Sequence, residues 1–354
     1  MKNFNFEGHK LIYHLDRVQE YMTKGDSFPL YMEVSPVGSC NHRCVFCAYD
    51  YIGYPNRKLE TAKMLELIDE LAECGLKSML FAGEGEPLLH PDIVQFVARA
   101  KGKGIDVGLF TNGQLLDAQM AAQLLPLLTF VRFSFNGGGR ENYAAVHSVK
   151  ADVHDRVVNN ISKAVELRNT NGWEVDIGSQ FVLLQENIAF LETATEILKC
   201  CGVDYLAIKP FMQRVSQTYQ LNEQFQLHEI EPTLAKAERH SDSNFSVFAR
   251  RNTFQNYGKR NYDHCLGTAF ITVLNSAGVI SSCLPYWELE DFAYGSIYQH
   301  GFREIWNSEK RAKTKDFLEN RIDVHACPAS CRPDAINGFL CDIRHPQIKH
   351  INFI

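Results

Sequence analysis

The chain predicts an α/β fold followed by a small α+β region, on three observations. From about residue 30 to residue 211, short apolar runs alternate with segments of helical periodicity. Near residue 212 that alternation gives way to a more polar stretch. The eleven cysteines gather mostly at residues 40–47 and beyond residue 262. Regular strand–helix alternation implies parallel strands joined by crossover helices, with the loops that follow the strands opening on one rim.

In chain order, Leu11, Leu15, Val18 and Met22 recur at helical spacing, so a short amphipathic helix over 11–24 precedes the first strand as a packing element. Strands are expected at 30–37, 77–82, 106–111, 130–135, 174–183 and 205–210. Helices are expected between them at 61–74, 91–102, 115–125, 152–168 and 189–200, with apolar residues three and four apart. Six such units, with no further two before residue 212, make a partial (β/α)6 TIM-like barrel. Residues 40–47, 83–87, 111–113 and 136–139 then share its rim. Residues 213–260 read as a connector that is helical at 223–240. The division expected is a helical extension at 1–27, the barrel at 28–211, the connector at 212–261 and a C-terminal domain at 262–354.

A length of 354 residues, 45% of them hydrophobic, supports a substantial core. The net charge of −6 leaves no general basic footprint, so no nucleic-acid partner is expected, and Arg250, Arg251, Lys259 and Arg260 read as solvated surface. The N-terminus lacks the apolar segment of a signal peptide and no stretch is long enough to span a membrane, which predicts a cytoplasmic protein. An odd cysteine count without paired spacings favours cofactor ligation in a reducing compartment over a disulfide scaffold.

Cys40, Cys44 and Cys47 stand as CxxxCxxC directly after the first strand. Thiolates are the ligands of iron–sulfur clusters, and a 4Fe-4S cluster normally takes four. Three in one tight loop leave one iron for another ligand, and a zinc site lacking its fourth ligand is the competing reading. Residues 81–87, Phe-Ala-Gly-Glu-Gly-Glu-Pro, end the second strand, with Gly85 and Glu86 at its tip. Thr111 and Asn112 follow the third strand, and Ser134 and Asn136 end the fourth.

Together these motifs resemble the radical S-adenosylmethionine (SAM) superfamily over roughly residues 28–211. The resemblance implies that Cys40, Cys44 and Cys47 bind a 4Fe-4S cluster whose open iron is chelated by SAM. It further implies reductive cleavage of SAM to a 5'-deoxyadenosyl radical that takes a hydrogen atom from substrate. Residues 83–87 are similar to the family's GGEP segment, which binds the SAM amino group, except that Glu84 stands at its first glycine. Thr111, Asn112, Ser134 and Asn136 resemble the ribose and carboxylate contacts, and residues 182–187 the adenine site. Hydroxyls and amides at a rim equally cap helices.

Cys265, Gly278 and Cys283 match the pattern that opens SPASM and twitch domains, with a hairpin turning at residues 275–278 between the two cysteines. Cys327 and Cys331 supply two more thiols, so the resemblance implies one auxiliary 4Fe-4S cluster on Cys265, Cys283, Cys327 and Cys331, against a four-thiolate zinc site. Five cysteines fit the single-cluster twitch type better than a full SPASM set of seven. Cys341 is left as an alternative ligand, a buried thiol or a hydrogen-atom donor, the buried thiol being favoured. Cys74, Cys200 and Cys201 read as structural.

The function expected is radical chemistry on a small polar substrate such as a sugar, aminocyclitol or nucleotide sugar, by dehydrogenation, epimerisation or dehydration. The alternative is a peptide- or protein-modifying maturase, disfavoured by the short cysteine set and by the absence of room for a leader-binding domain before Cys40. A non-catalytic electron carrier would have no use for the Glu86 segment. An external one-electron reductant such as flavodoxin or ferredoxin is expected as partner. Lys209, Gln180, Arg214 and His264 are polar residues available to bind hydroxyls or phosphate.

Overall fold

The structure, a computed structural model, describes residues 8–214, 216–221, 224–329, 331–346 and 348–353. The strands are β1 (Tyr31–Val34), β2 (Ser78–Phe81), β3 (Asp106–Thr111), β4 (Phe130–Ser134), β5 (Asp176–Leu183), β6 (Tyr205–Pro210), β7 (Ser246–Ala249), β8 (Ile271–Leu274), β9 (Val279–Ser281) and β10 (Ala293–Ser296). The helices up to β7 are α1 (Leu15–Lys24), α2 (Thr61–Glu73), α3 (Ile93–Gly102), α4 (Ala118–Leu124), α5 (Arg140–His147), α6 (Asp152–Asn171), α7 (Leu191–Cys201) and α8 (Leu227–Glu238). Beyond it lie α9 (Arg251–Gln255), α10 (Phe302–Trp306), α11 (Glu309–Asn320) and α12 (Asp334–Arg344).

The strands form one sheet in the order β10-β9-β8-β1-β2-β3-β4-β5-β6-β7. All pairs from β1 to β7 are parallel, and β8 joins β1 in parallel on the other side. The sheet is open, a partial barrel, and the six expected strands are all present in it. β1 to β6 alternate with helices and bury apolar side chains on both faces, as parallel sheets do. Val34, Phe81, Leu109, Phe133, Phe181 and Ile208 meet Ile68, Phe96, Ile161 and Leu198 of the surrounding helices in one core. Truncating a fully buried ring such as Phe133 to alanine costs about 3–5 kcal/mol.

Three features differ from expectation. Residues 213–260 hold a seventh strand–helix unit, α8 and β7, and not only a connector. Its strand is four residues long and its helix contains Pro232, so neither gives a strong periodic signal. The first helix buries Val18 and Tyr21, with Leu11 in the short turn before it, while Leu15 is 62% exposed and Met22 39% exposed. Finally, α5 lies between β4 and α6, in a stretch where no helix is expected from the sequence.

The β8–β9 hairpin turns at residues 275–278 as predicted and extends the core sheet through β1. The C-terminal region is further tied down by Tyr21 Oη donating to Glu319 at 2.8 Å and by the Trp306 indole donating to the Ser27 carbonyl at 3.1 Å. Arg311 makes a two-pronged pair with Asp26, at 2.6 and 2.8 Å, and stacks on Trp306.

Candidate active site

Cys40, Cys44 and Cys47 lie in the loop after β1, partly buried. The loop is pinned to the end of α5, because the amides of Arg43 and Val45 donate to the carbonyls of His147 and Val146 at 3.2 and 3.0 Å. Arg43 caps it, donating to the Cys40 and His42 carbonyls at 2.6 and 2.7 Å while its guanidinium covers the Tyr54 ring. Burial pushes the Cys40 thiol up to about 12, and the nearby Glu86 charge adds to the effect. Burial likewise raises Cys44, whose two partner thiols repel its negative charge. Such thiols ionise only when a cation joins them.

His147, at the end of α5, is fully buried and places Nδ1 3.2 Å from Cys44 Sγ. The Asn136 amide donates to its Nε2 at 3.2 Å, so in a neutral ring the proton sits on Nδ1 and points at the sulfur. The ring is neutral because burial, and then His42, lower its pKa well below the usual range. This residue was missed in the sequence. The available signal was the Gly137–Gly139 run after β4, which starts a helix carrying Tyr143, Val146 and His147 on its buried face.

Glu86 is buried, and its carboxylate accepts from Thr111 Oγ1 at 2.7 Å, the Asn112 amide at 2.8 Å and the Leu88 amide at 3.2 Å. Burial raises it to about 7 against those hydrogen bonds, and no cation is paired with it among the described residues. A carboxylate so placed is half of a charge-assisted pair awaiting an ammonium. Gly85 is required beside it, since a Cβ there would stand 2.3 Å from the Ser39 carbonyl oxygen and 2.5 Å from that of Val37.

The other predicted contacts divide. Thr111 and Asn112 hold Glu86, and the Asn112 side chain continues through Asn41 to Gln114, which also meets His42 Nε2 at 2.9 Å. Ser134 lies on the cavity wall. Asn136 is fully buried off that wall, its Oδ1 accepting from the Val182 amide at 2.7 Å, and so braces β4 against β5. Glu84, the departure from the glycine pattern, has its own role. It pairs with Arg57 at 3.1 Å and accepts from the Ser276 amide at 2.6 Å, fastening this loop to the β8–β9 hairpin.

Cys265, Cys283, Cys327 and Cys331 converge: the first two feel the negative charges of Cys331 and Cys327, and Cys331 feels that of Cys327. Asn337 Nδ2 lies 3.6 Å from Cys265 Sγ, and Tyr286 hydrogen-bonds Cys327. Cys341 stands apart on α12, packed beside Leu266, Phe270 and Leu340, its sulfur 3.8 Å from the His264 carbonyl. Both cysteine sets therefore offer thiols without a bound charge, three in one and four in the other, as iron–sulfur clusters require.

Comparison with known proteins agrees with this geometry. The radical SAM superfamily model matches residues 34–188, and the iron-sulfur cluster-binding SPASM domain model matches residues 265–333.

The chain belongs to the radical SAM superfamily.

It is an enzyme of that superfamily with a C-terminal SPASM domain, and its cofactors are a SAM-binding 4Fe-4S cluster, SAM and auxiliary iron–sulfur binding in the SPASM domain. The tungsten-containing aldehyde ferredoxin oxidoreductase cofactor-modifying protein of Pyrococcus furiosus is 23% identical over 309 residues, 82% of this chain and 84% of that protein. The GTP 3',8-cyclase of Chlorobaculum tepidum is 36% identical over 118 residues, 33% of this chain and 36% of that one. Among solved structures, Streptococcus suis SuiB bound to SAM superposes with a TM-score of 0.65 at 15% identity, covering 87% of this chain and 72% of that one. The structure of anSMEcpe with bound AdoMet gives 0.57 at 17% identity, over 82% and 80%. Likeness at these identities speaks for the fold.

The radical SAM triplet and SPASM thiols share one space. A cavity of about 1620 Å³ is lined by Cys40, Cys44 and Cys47 at one part and by Cys283 and Cys331 at another, with Glu86 and Ser134 between the strands. Cys341, Asn136 and His264 are not on its wall; Lys209, Gln180 and Arg214 are. No helix among the described residues is long and apolar enough to cross a membrane.

Proposed function

We propose that this radical SAM enzyme removes a hydrogen atom from a peptide or protein segment presented in the cavity between the two cysteine sets. The observation that carries the reading is one cavity of about 1620 Å³ that touches both sets of thiols, so that cluster, SAM and substrate would share a single space. When bound, the cluster supplies the electron that cleaves SAM, and the radical so produced takes the hydrogen atom. Cys40, Cys44 and Cys47 would hold that cluster, and Glu86 would accept the SAM ammonium. His147 orients Cys44, and Pro87 and Ala82 add apolar lining to the wall. Cys265, Cys283, Cys327 and Cys331 would hold an auxiliary cluster on the far side of the substrate. The electron comes from an external reductant of the flavodoxin or ferredoxin class.

Support for a peptide comes from SuiB, solved with a precursor peptide over 90% of this chain at a TM-score of 0.65, and from anSMEcpe, solved with a peptide at 0.57. A PqqA peptide cyclase is also 30% identical over 105 residues. The small-molecule reading expected from the cysteine count is favoured by different relatives. Besides the GTP cyclase, a nucleotide dehydratase of Flammeovirga pacifica is 28% identical over 127 residues, and it spans 43% of that relative.

Anaerobic reconstitution with SAM and dithionite tests both. Substrate-dependent 5'-deoxyadenosine above the uncoupled background with peptides, and not with nucleotides or sugars, is the expected result. The reverse pattern overturns the peptide assignment, and no 5'-deoxyadenosine at all overturns the radical reading.

A further inference from the structure

One wall of the cavity carries an excess of positive charge that neither cysteine set uses directly. Lys209 projects from β6, where it pairs in register with Val182 of β5. Four arginines act on it electrostatically, and they come from separate parts of the chain. Arg132 is on β4, Arg214 follows β6, Arg250 follows β7 and Arg332 follows the SPASM ligand Cys331.

Three carboxylates of this cavity have partners of their own. Glu33 of β1 pairs with Arg332 and accepts from Tyr31 Oη at 3.0 Å. Asp334 accepts from Tyr262 Oη and lies 3.7 Å from Arg260. Asp176 on β5 has a further interaction of its own. Lys209 and Arg214 remain. Among the described residues no carboxylate lies within 4.0 Å of the Lys209 ammonium, and Arg214 Nη1 is buried with no hydrogen-bond partner. The lysine feels the strain of that arrangement, since burial and then the four guanidinium charges push its pKa down to about 7.

An arginine nitrogen left unpaired in a protein interior costs free energy unless a ligand completes it. Arg214 is also held in place from behind. Its amide donates to Gln217 Oε1 at 3.2 Å, and Gln217 Nε2 donates to the Phe46 carbonyl at 2.7 Å, which fixes the segment against the loop of the radical SAM triplet. Arg214 is thus anchored at its backbone, and its side chain lines a wall shared with substrate-sized space.

We propose that Lys209 and Arg214 form an oxyanion receptor that anchors a carboxylate or phosphate group of the substrate in the cavity. The proposal rests on the reading that this cavity is the substrate site. A receptor on β6 and the segment just after it shares the cavity wall with Cys40, Cys44 and Cys47 and with Cys283 and Cys331, and would hold its ligand within reach of both sets. A side-chain carboxylate of an acidic peptide and the phosphate of a small ester are the two sources of that chemistry.

The test uses reconstituted holoenzyme under anaerobic conditions. Lysines are acetylated with a water-soluble N-hydroxysuccinimide ester near neutral pH, and mass spectrometry follows Lys209 against exposed Lys313. Pyrophosphate and glutarate are the probes. At least tenfold slower labelling of Lys209, with Lys313 unchanged, is expected from one of them, and Arg214→Met should weaken that protection about tenfold at fixed probe concentration. Stronger protection by glutarate identifies a carboxylate source, and stronger protection by pyrophosphate a phosphate ester. Protection by neither overturns the receptor, as does a Lys209 that is unreactive without any anion. Full protection by SAM alone overturns it in favour of the cofactor's own carboxylate. Loss of half the iron in Arg214→Met overturns it in favour of charge balance at a cluster. 5'-Deoxyadenosine formation on the same sample reports separately on the radical reading, because the labelling result does not depend on turnover.

Discussion

The two cysteine sets face the same cavity but are built in opposite ways. Cys40, Cys44 and Cys47 sit within eight residues of one loop, whereas Cys265, Cys283, Cys327 and Cys331 are spread over a hairpin base and the segment before α12. Beside the first set stands Glu86, a buried carboxylate without a cation among the described residues; beside the second stand Asn337 and Tyr286, which hydrogen-bond the sulfurs. The difference teaches how each set is used. On the proposed reading, three thiols with an anion cradle would leave a coordination position open for a charged cofactor, and four thiols with neutral hydrogen-bond donors would make a closed site suited to passing electrons.

Removing one ligand from each set breaks the comparison most sharply. Cys44→Ala should abolish SAM cleavage, at least a thousandfold, and remove about four iron atoms per chain. Cys331→Ala should also remove about four, yet leave substrate-independent SAM cleavage within a fewfold of the parent while product formation is lost. Iron analysis with 5'-deoxyadenosine and product assays on both variants checks this. Equal loss of cleavage in the two would erase the functional distinction between the sets.

The open site makes a pH prediction that the closed one does not. Because burial holds Glu86 at about 7, the free cradle carries a proton below that pH, and an incoming ammonium must displace it. SAM affinity should therefore weaken as pH falls below about 7, by at most tenfold per unit, and level off above it. The sign for folding is the reverse. A raised carboxyl is protonated in both states at low pH, and the SAM-free protein loses stability as pH climbs from 4.5 to about 7, by roughly 3 kcal/mol across the window. Glu86→Gln should cost about 1.5–3 kcal/mol of SAM binding at pH 8 and flatten both profiles. Equilibrium dialysis across pH 6–8.5 and urea unfolding across pH 4–8 measure the two; a pH-independent affinity in the parent chain would remove Glu86 from the ammonium contact.

What the sequence revealed follows the same local-against-distributed division. The triplet, the Glu86 loop and the strands from β1 to β6 are legible because their signals are short-range: a fixed spacing, a turn, an apolar run. β7 escaped because four residues carry too little periodicity, and the joining of β8 to β1 escaped because pairing between distant segments leaves no local mark. Glu84 looked like a flaw in a glycine motif, yet it is the tether to Ser276, nearly two hundred residues away. Asn136 was expected as a cofactor contact, but its side chain accepts from Val182 while its amide sets the tautomer of His147. The choice between peptide and small molecule was also beyond local motifs, since the substrate space and its charge are assembled from β4, β6, the segment after β7 and the SPASM domain.

His147 offers a finer probe of the triplet. Its Nδ1–H aimed at Cys44 Sγ withdraws charge from a ligand sulfur, and hydrogen bonds to sulfur ease the reduction of a cluster. His147→Phe preserves the flat ring stacked on Tyr143 and deletes the donor. The cluster potential should become more negative by roughly 40 mV for a bond worth about 1 kcal/mol. The iron content should stay unchanged. Redox titration followed by electron paramagnetic resonance reads the shift. An unaltered potential would mean that the contact only positions the loop.

Cys341 should show the smallest effect of all. A hydrogen-atom donor must reach the substrate carbon, yet this sulfur faces the His264 carbonyl and packs with Leu266 and Phe270, away from the cavity wall. On the proposed reading the quartet is Cys265, Cys283, Cys327 and Cys331, and Cys341 lies outside it. Cys341→Ala removes one sulfur from a partly exposed apolar contact and should cost about 1 kcal/mol of stability or less. Iron content, turnover and product stereochemistry should match the parent within twofold. Loss of deuterium incorporation into product from solvent in this variant would restore Cys341 as the donor and require α12 to move its sulfur toward the cavity during turnover.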